Sequence, residues 1–94
     1  MSKETIIDAA DKFAKEGKFD RAIREYEKLL AEDPHDMRAK MKVADLQARK
    51  KDIAGAIKTY REVADSYAQE NFHLKAIAVY KTMLQLNPTL TEVN

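Results

Sequence analysis

One short pattern occurs three times in this chain and limits what the chain can fold into. The pattern is A-D-x-x-A, seven further residues, and then A-I-x-x-Y, with copies that begin at Ala10, Ala44 and Ala64. The first two copies start 34 residues apart, whereas the second and third start only 20 residues apart. Because repeats at such periods indicate units that bury their apolar faces against one another, the pattern predicts a stacked architecture.

The apolar residues of the first copy recur with the period of an α-helix. One face is formed by residues at i, i+3, i+4 and i+7, namely Ile6, Ala9, Ala10 and Phe13. Gly17 follows and suits the left-handed position that ends a helix. A second stripe runs from Phe19 to Leu30, and Asp33-Pro34 ends it because proline disfavours a helical residue before it. The unit is therefore a helix, a tight turn, a second helix and a proline-marked turn.

Residues 16–34, EGKFDRAIREYEKLLAEDP, resemble the second half of a tetratricopeptide repeat. The match includes the glycine turn, the aromatic Phe19 and Tyr26, the small Ala22, and Pro34. The 34-residue step is also the period of that family. The resemblance implies an all-α fold, in which helix pairs stack into a right-handed superhelix with a concave face that usually binds peptides. It implies no enzyme activity.

The 20-residue step predicts that one helix belongs to two overlapping copies. A complete second repeat should end near residue 68 with a turn signal, but residues 66–70 read SYAQE and contain none. We therefore predict one helix over 53–70, which closes the second copy and opens the third, and a left-handed stop at Asn71. Five helices are expected, over 3–16, 19–32, 36–50, 53–70 and 73–87.

These helices make a single domain over residues 1–94 with about two and a half repeats. Its expected units are about 3–34, 36–70 and a partial, overlapping 57–88. Beyond Pro88, Thr89 and Glu92 form a T-x-x-E capping box, a pattern typical of a helix start. We therefore expect the chain to be a fragment of a longer protein.

Composition argues against several classes of protein. Of the 94 residues 45% are hydrophobic and 35% charged, with two glycines and two prolines, which is typical of a helical domain. No apolar run approaches the length of a membrane span, and no short apolar segment follows a basic start. We therefore expect no signal peptide, no membrane insertion and a cytoplasmic location. The net charge of +1 does not suggest nucleic-acid binding.

The sequence contains no residue set that predicts catalysis. Without cysteine there is no disulfide framework and no thiolate metal site. His35 and His73 stand at turns without a second ligand at metal spacing, and Gly17 and Gly55 are too few for a phosphate-binding loop. We predict a protein that is not an enzyme and needs no cofactor or metal.

The resemblance also implies which residues line the concave groove. Carried over one position at a time, they include Ile7, Asp11, Arg38, Met41, Lys42, Asp45 and Arg49. Asp11, Asp45 and Asp65 stand at one equivalent position of the three copies. A mixed-charge site for a partner protein or peptide is one interpretation of this set, and the solvated charges of a wide surface are the other.

The last helix carries apolar residues where the second carries charged ones. With Ala22 aligned to Ala76, the residues Arg24, Glu25 and Glu32 correspond to Ala78, Val79 and Leu86. A helix that is apolar on more than one face expects cover on both sides, and terminal repeats normally present a polar outer face. Either a further repeat or a second copy of the chain must then cover the outer side, and we predict that the isolated fragment forms a two-fold homodimer through Ala78, Val79 and Leu86.

The leading interpretation is an interaction scaffold that binds a partner peptide or helix in the groove and associates through its C-terminal helix. One alternative is a purely structural homo-oligomerisation module without a groove ligand. Another is a dedicated chaperone that shields one partner's helix. A groove ligand would leave the oligomeric state unchanged, whereas an oligomerisation module would carry apolar residues on an outer edge.

Overall fold

The computed structural model describes residues 2–86 and contains five α-helices and no strand within them. The helices are α1 Lys3–Lys15, α2 Phe19–Glu32, α3 Met37–Arg49, α4 Ile53–Gln69 and α5 His73–Leu86. The predicted all-α class is confirmed, and every predicted helix bound agrees to within one residue. The capping-box residues Thr89 and Glu92 lie outside the described part of the chain. Within that part, no helix has the length and apolar character needed to cross a membrane.

The helices stack in chain order, so that each packs mainly on the helix before it and the helix after it. Two core clusters result. The first joins α1, α2 and one face of α3 through Ile6, Ala10, Ala22, Tyr26, Leu29, Ala39, Val43 and Leu46. The second joins the other face of α3 to α4 and α5 through Ala44, Ala56, Tyr60, Val63, Ala64, Val79 and Met83. Because α3 belongs to both clusters, it connects the two halves of the stack.

The motif alanines are the most tightly enclosed positions of the fold. Five of them have no exposed surface: Ala10, Ala22, Ala44, Ala56 and Ala64. A methyl side chain lets two helix backbones approach closely, and a larger side chain in such a site typically costs about 1–3 kcal/mol. The small residues of the repeated pattern therefore set the spacing between the helices.

Three helices end in the same left-handed turn. The turn residues are Gly17, Lys51 and Asn71, with φ of 77°, 71° and 66°. At the first turn the N–H of Lys18 bonds to the carbonyl of Phe13 at 2.8 Å, and the other two turns repeat this bond between equivalent residues. The left-handed positions expected at Gly17 and Asn71 are confirmed. At Lys51 a residue with a Cβ adopts a conformation that favours glycine.

Helix α4 is the element that the two overlapping copies share. It runs without a break through Ser66, and the predicted continuous helix is therefore confirmed. Val63 and Ala64 at its centre are completely buried. The N-terminal half of α4 thus closes one unit and its C-terminal half opens the next.

Replacement of Ser66 by proline should break α4. Proline lacks the backbone N–H and its ring clashes with the preceding helical turn, so we expect a loss of about 3 kcal/mol or more in the free energy of unfolding. Urea unfolding followed by circular dichroism measures this loss, with Ser66→Ala as the control that keeps the helix. Equal midpoints for the two variants would contradict a continuous α4.

Replacement of Lys51 by glycine should stabilise the protein. A left-handed residue with a Cβ is strained, and the relief exceeds the entropy that glycine adds to the unfolded chain, so a gain of about 0.5–1 kcal/mol is expected. The matched control is Lys51→Ala, which removes the same charge but keeps a Cβ. If both variants gained equally in thermal unfolding, loss of the charge and not relief of strain would be the cause.

Candidate functional site

In each copy of the motif, the last residue donates a hydrogen bond to the aspartate near its start. The bonds join Tyr26 to Asp11 at 3.4 Å, Tyr60 to Asp45, and Tyr80 to Asp65 at 2.5 Å. Donor and acceptor are 15 residues apart in all three cases. The third bond starts from α5 and ends on the shared helix α4. The overlapping copy therefore repeats the side-chain geometry of the two complete ones.

These bonds give the predicted groove aspartates a role inside the protein. The family resemblance placed Asp11 and Asp45 in the groove, beside either a ligand or solvent, and no hydrogen bond was predicted for Tyr26 or Tyr60. The structure connects each aspartate to the tyrosine of its own unit. The sequence does contain a signal for these pairs. In all three copies the tyrosine stands 15 residues after the aspartate, whether the copies are 34 or 20 residues apart. A ligand in the groove would meet carboxylates that already accept one hydrogen bond.

The environment of the tyrosines keeps their hydroxyl groups protonated. Burial, together with the negative charge of Asp11, raises the pKa of Tyr26 to about 12. Burial, followed by the hydrogen bond to its aspartate, raises the pKa of Tyr60 as well. For the more exposed Tyr80 the hydrogen bond itself is the main cause of a raised pKa. Each tyrosine thus remains a neutral donor throughout the physiological pH range.

A cleft of about 200 Å³ opens between α1 and α3, over α2. Eight residues line it: Lys3, Ile7, Tyr26, Leu29, Asp36, Arg38, Ala39 and Lys42. Tyr26, Leu29 and Ala39 are buried and form its floor. Charged side chains surround this floor, so the cleft combines an apolar base with a polar rim.

The charges of the rim are not balanced. Lys3 lies 3.1 Å from the carboxylate of Asp36, which also caps α3 by accepting the N–H of Ala39. Arg38 and Lys42 are exposed and form no ion pair with residues 2–86. They lie one helical turn apart on α3, where residues at i and i+4 share a face. The cleft therefore has two cations available to an anionic ligand.

Only some of the predicted groove residues line this cleft. Ile7, Arg38 and Lys42 do. Met41 is half-buried against the second core cluster. The guanidinium of Arg49 lies over the ring of Phe19, 4.8 Å from its centroid, and so contacts the start of α2.

Five lining residues were not among the predicted groove positions: Lys3, Tyr26, Leu29, Asp36 and Ala39. The apolar stripe from Phe19 to Leu30 indicated packing for Tyr26 and Leu29, and both are buried, as is Ala39. Tyr26, Leu29 and Ala39 therefore pack in the core and also line the cleft. Among the described residues, no group of three or more histidine, cysteine, aspartate or glutamate side chains could hold a metal ion.

The residues predicted for self-association need a correction. Val79 is only 5% exposed and belongs to the second core cluster, and Leu86 packs against that cluster, so neither lies on an outer face. The reason is visible at the aligned Glu25 of α2, whose side chain is already only 12% exposed. This helix position turns toward the preceding helix, where valine joins the core. Of the three predicted residues Ala78 alone is exposed.

Other side chains give α5 its apolar outer surface. In residues 2–86, the large hydrophobic side chains classed as exposed are Phe72 at 47%, Leu74 at 85%, Ile77 at 49% and Leu84 at 38%. The apolar periodicity of α5 predicts Ile77 and Leu84 on one inner stripe with Ala76 and Met83, but the structure exposes both, so that prediction is wrong. All four residues lie in α5 or directly before it.

Comparison with known proteins adds one match. A family model described as Tetratricopeptide repeat matches residues 7–71. That range covers more than half of the chain and includes α1 from Ile7 onward, all of α2 and α3, and the shared helix α4. No curated protein matches the chain significantly.

The raised pKa of Tyr26 predicts a specific loss of stability at alkaline pH. Its pKa is about 12 in the folded protein and about 10 in an unfolded chain, so the folded state holds the proton more tightly. The contribution of the phenol is complete below about pH 10 and is lost as the pH rises through about 12. Between pH 8 and pH 12 the wild type should therefore lose more unfolding free energy than Tyr26→Phe.

The control for this experiment is Tyr67→Phe, since within residues 2–86 no hydrogen bond of the Tyr67 hydroxyl is seen. Urea unfolding at each pH provides the free energies. At neutral pH, Tyr26→Phe should cost about 0.5–1.5 kcal/mol for the lost hydrogen bond. Parallel pH profiles for the wild type and Tyr26→Phe would show that the phenol does not titrate as stated.

Proposed function

The chain belongs to the tetratricopeptide repeat family, and on that basis we propose that it is an interaction scaffold whose cleft between α1 and α3 binds an acidic segment of a partner protein. Repeats of this family generally mediate protein–protein interactions and are typically not catalytic. The observation that carries the proposal is the pair of unbalanced cations, Arg38 and Lys42, beside an apolar floor.

The floor supports binding of an apolar side chain. Tyr26, Leu29 and Ala39 present buried apolar surface at the base of an opening of about 200 Å³, which has room for a side chain but not for a folded domain. Removing apolar surface from water contributes about 25 cal/mol per Å². The cleft thus fits one anchor residue of an extended segment or of one helix face.

The rim supports selection for negative charge. Arg38 offers a planar guanidinium that can bind a carboxylate through two parallel hydrogen bonds, and Lys42 adds a second positive charge one turn away. Because both side chains are exposed, they should act mainly on the association rate and on its salt dependence. The expected ligand is a peptide in which an apolar residue stands next to an acidic one.

A second proposal concerns self-association through α5. It is supported by the exposed Leu74, Ile77 and Leu84, which give the end of the stack an apolar surface. This surface lies on a different helix from those that line the cleft, so a scaffold could bind its partner and a second copy together. An oligomerisation module without a groove ligand would use the second surface alone.

The first proposal can be tested with a random peptide library selected on the wild-type protein. Enriched peptides should pair an acidic with an apolar residue, and Arg38→Glu with Lys42→Glu should weaken them at least about tenfold at low salt. The matched control is Arg24→Glu with Lys28→Glu, which reverses an arginine and a lysine at the same i, i+4 spacing on α2. Unchanged affinity in the cleft variant would contradict the proposal.

Arg38 and Lys42 can be reversed without changing Met41, which is half-buried. Met41→Glu with Lys42→Glu addresses the same helix face, but Met41 is half-buried, so its loss would also affect folding. Arg38 and Lys42 are both exposed, and their reversal leaves the core unchanged.

A further inference from the structure

The exposed face of α5 has the spacing of a coiled-coil seam. Leu74, Ile77, Lys81 and Leu84 follow one another at intervals of three, four and three residues. These intervals are those of successive a and d positions in a heptad. On the other side of the same helix Ala76, Val79 and Met83 are buried in the fold. Helix α5 therefore carries two separate apolar faces, one of which is covered by α4.

At the C-terminal end of the stack, α5 exposes apolar residues at positions that are partly buried in α2. Ile77 and Leu84 stand where α2 has Ile23 and Leu30, as the alignment of Ala22 with Ala76 shows. Ile23 and Leu30 are partly buried and pack against the first core cluster. The same positions on α5 are exposed, so the end of the stack presents residues that the fold covers elsewhere.

At the N-terminal end of the stack, α1 has polar residues at positions where α3 is apolar. Helix α3 enters the first core cluster through Ala39, Val43 and Leu46. The residues one 34-residue step earlier in α1 are Thr5, Ala9 and Lys12, of which Thr5 and Lys12 are exposed. A polar edge of this kind offers no apolar partner to α5. If copies stacked head to tail, the apolar seam of one copy would therefore contact Thr5 and Lys12 of the next copy.

Among the described residues, α5 is the one helix that offers a second copy an apolar surface for the seam. Within residues 2–86, the large exposed hydrophobic side chains are those of α5 and of Phe72 directly before it. Contacts of a surface with its own equivalent are isologous and close around a two-fold axis, whereas head-to-tail contacts produce rings or open filaments. The self-association of the proposed function, on which this inference rests, should therefore stop at a dimer.

We propose that two copies pair α5 against α5 in an antiparallel seam, with the two-fold axis close to residue 79. Leu74 then packs on the partner's Leu84, and Ile77 packs beside the partner's Lys81. The occupant of the exposed face is thus a second copy of this chain.

Charge selects the antiparallel orientation. The only charged residues of α5 apart from His73 are Lys75 and Lys81, and neither is acidic. In a parallel pair, Lys81 would lie directly opposite the partner's Lys81. In the antiparallel pair, the two lysines are four residues apart along the seam, about 6 Å at 1.5 Å per residue. A lysine at an a position specifies register and oligomeric state at a cost in stability.

Analytical ultracentrifugation of the whole chain tests whether the seam is used. We expect the wild type to form a dimer with a micromolar dissociation constant. Ile77→Glu with Leu84→Glu should raise that constant at least about a hundredfold, and Lys81→Leu should lower it at least about tenfold. The control adds the same charges at exposed alanines, Ala31→Glu with Ala54→Glu. A wild type that stays monomeric at high micromolar concentration would overturn the self-association itself.

Disulfide trapping tests the orientation separately, because the chain contains no natural cysteine. A chain with Leu74→Cys is mixed with a chain with Leu84→Cys and oxidised mildly. The antiparallel seam should produce mainly the mixed disulfide, since only the two different positions come within bonding distance. A dimer that yields only disulfides between identical positions would overturn the antiparallel arrangement while leaving self-association intact.

Discussion

The close approach of helix backbones at the motif alanines is the contact on which the rest of this fold depends. Ala10, Ala22, Ala44, Ala56 and Ala64 have no exposed surface, so the backbones of neighbouring helices meet with only methyl groups between them. This spacing brings each tyrosine within hydrogen-bond distance of the aspartate 15 residues before it. It also sets the width of the cleft between α1 and α3. If the paired helices were further apart, the hydrogen bonds between tyrosine and aspartate would break while the helices themselves stayed folded.

Local sequence patterns predicted those parts of the fold that local forces determine. The helix bounds follow from apolar periodicity, and the left-handed stop at Asn71 follows from the tolerance of asparagine for that conformation. The continuous α4 follows from the absence of a turn signal around Ser66. In each case one stretch of chain contains all the information, since the hydrogen bonds involved join residues a few positions apart.

The candidate site was predicted less well, because its geometry depends on contacts between helices. Of the residues that the family resemblance assigned to the groove, Ile7, Arg38 and Lys42 line the cleft, whereas Arg49 stacks on Phe19, a residue 30 positions earlier. Val79 was assigned to an outer face because Glu25 is charged, although that position already faces a neighbouring helix. The direction in which a side chain points relative to the next helix is a property of the stack.

The shared helix α4 has a consequence for how the protein unfolds. In a repeat protein whose units are joined by separate helices, one terminal unit can open while its neighbour stays folded. Here the second and third units have α4 in common, and its middle residues Val63 and Ala64 are fully buried. Neither unit can lose α4 without the other losing it as well. Helices α3, α4 and α5, which share the second core cluster, should therefore form one cooperative block in which amide hydrogens exchange together.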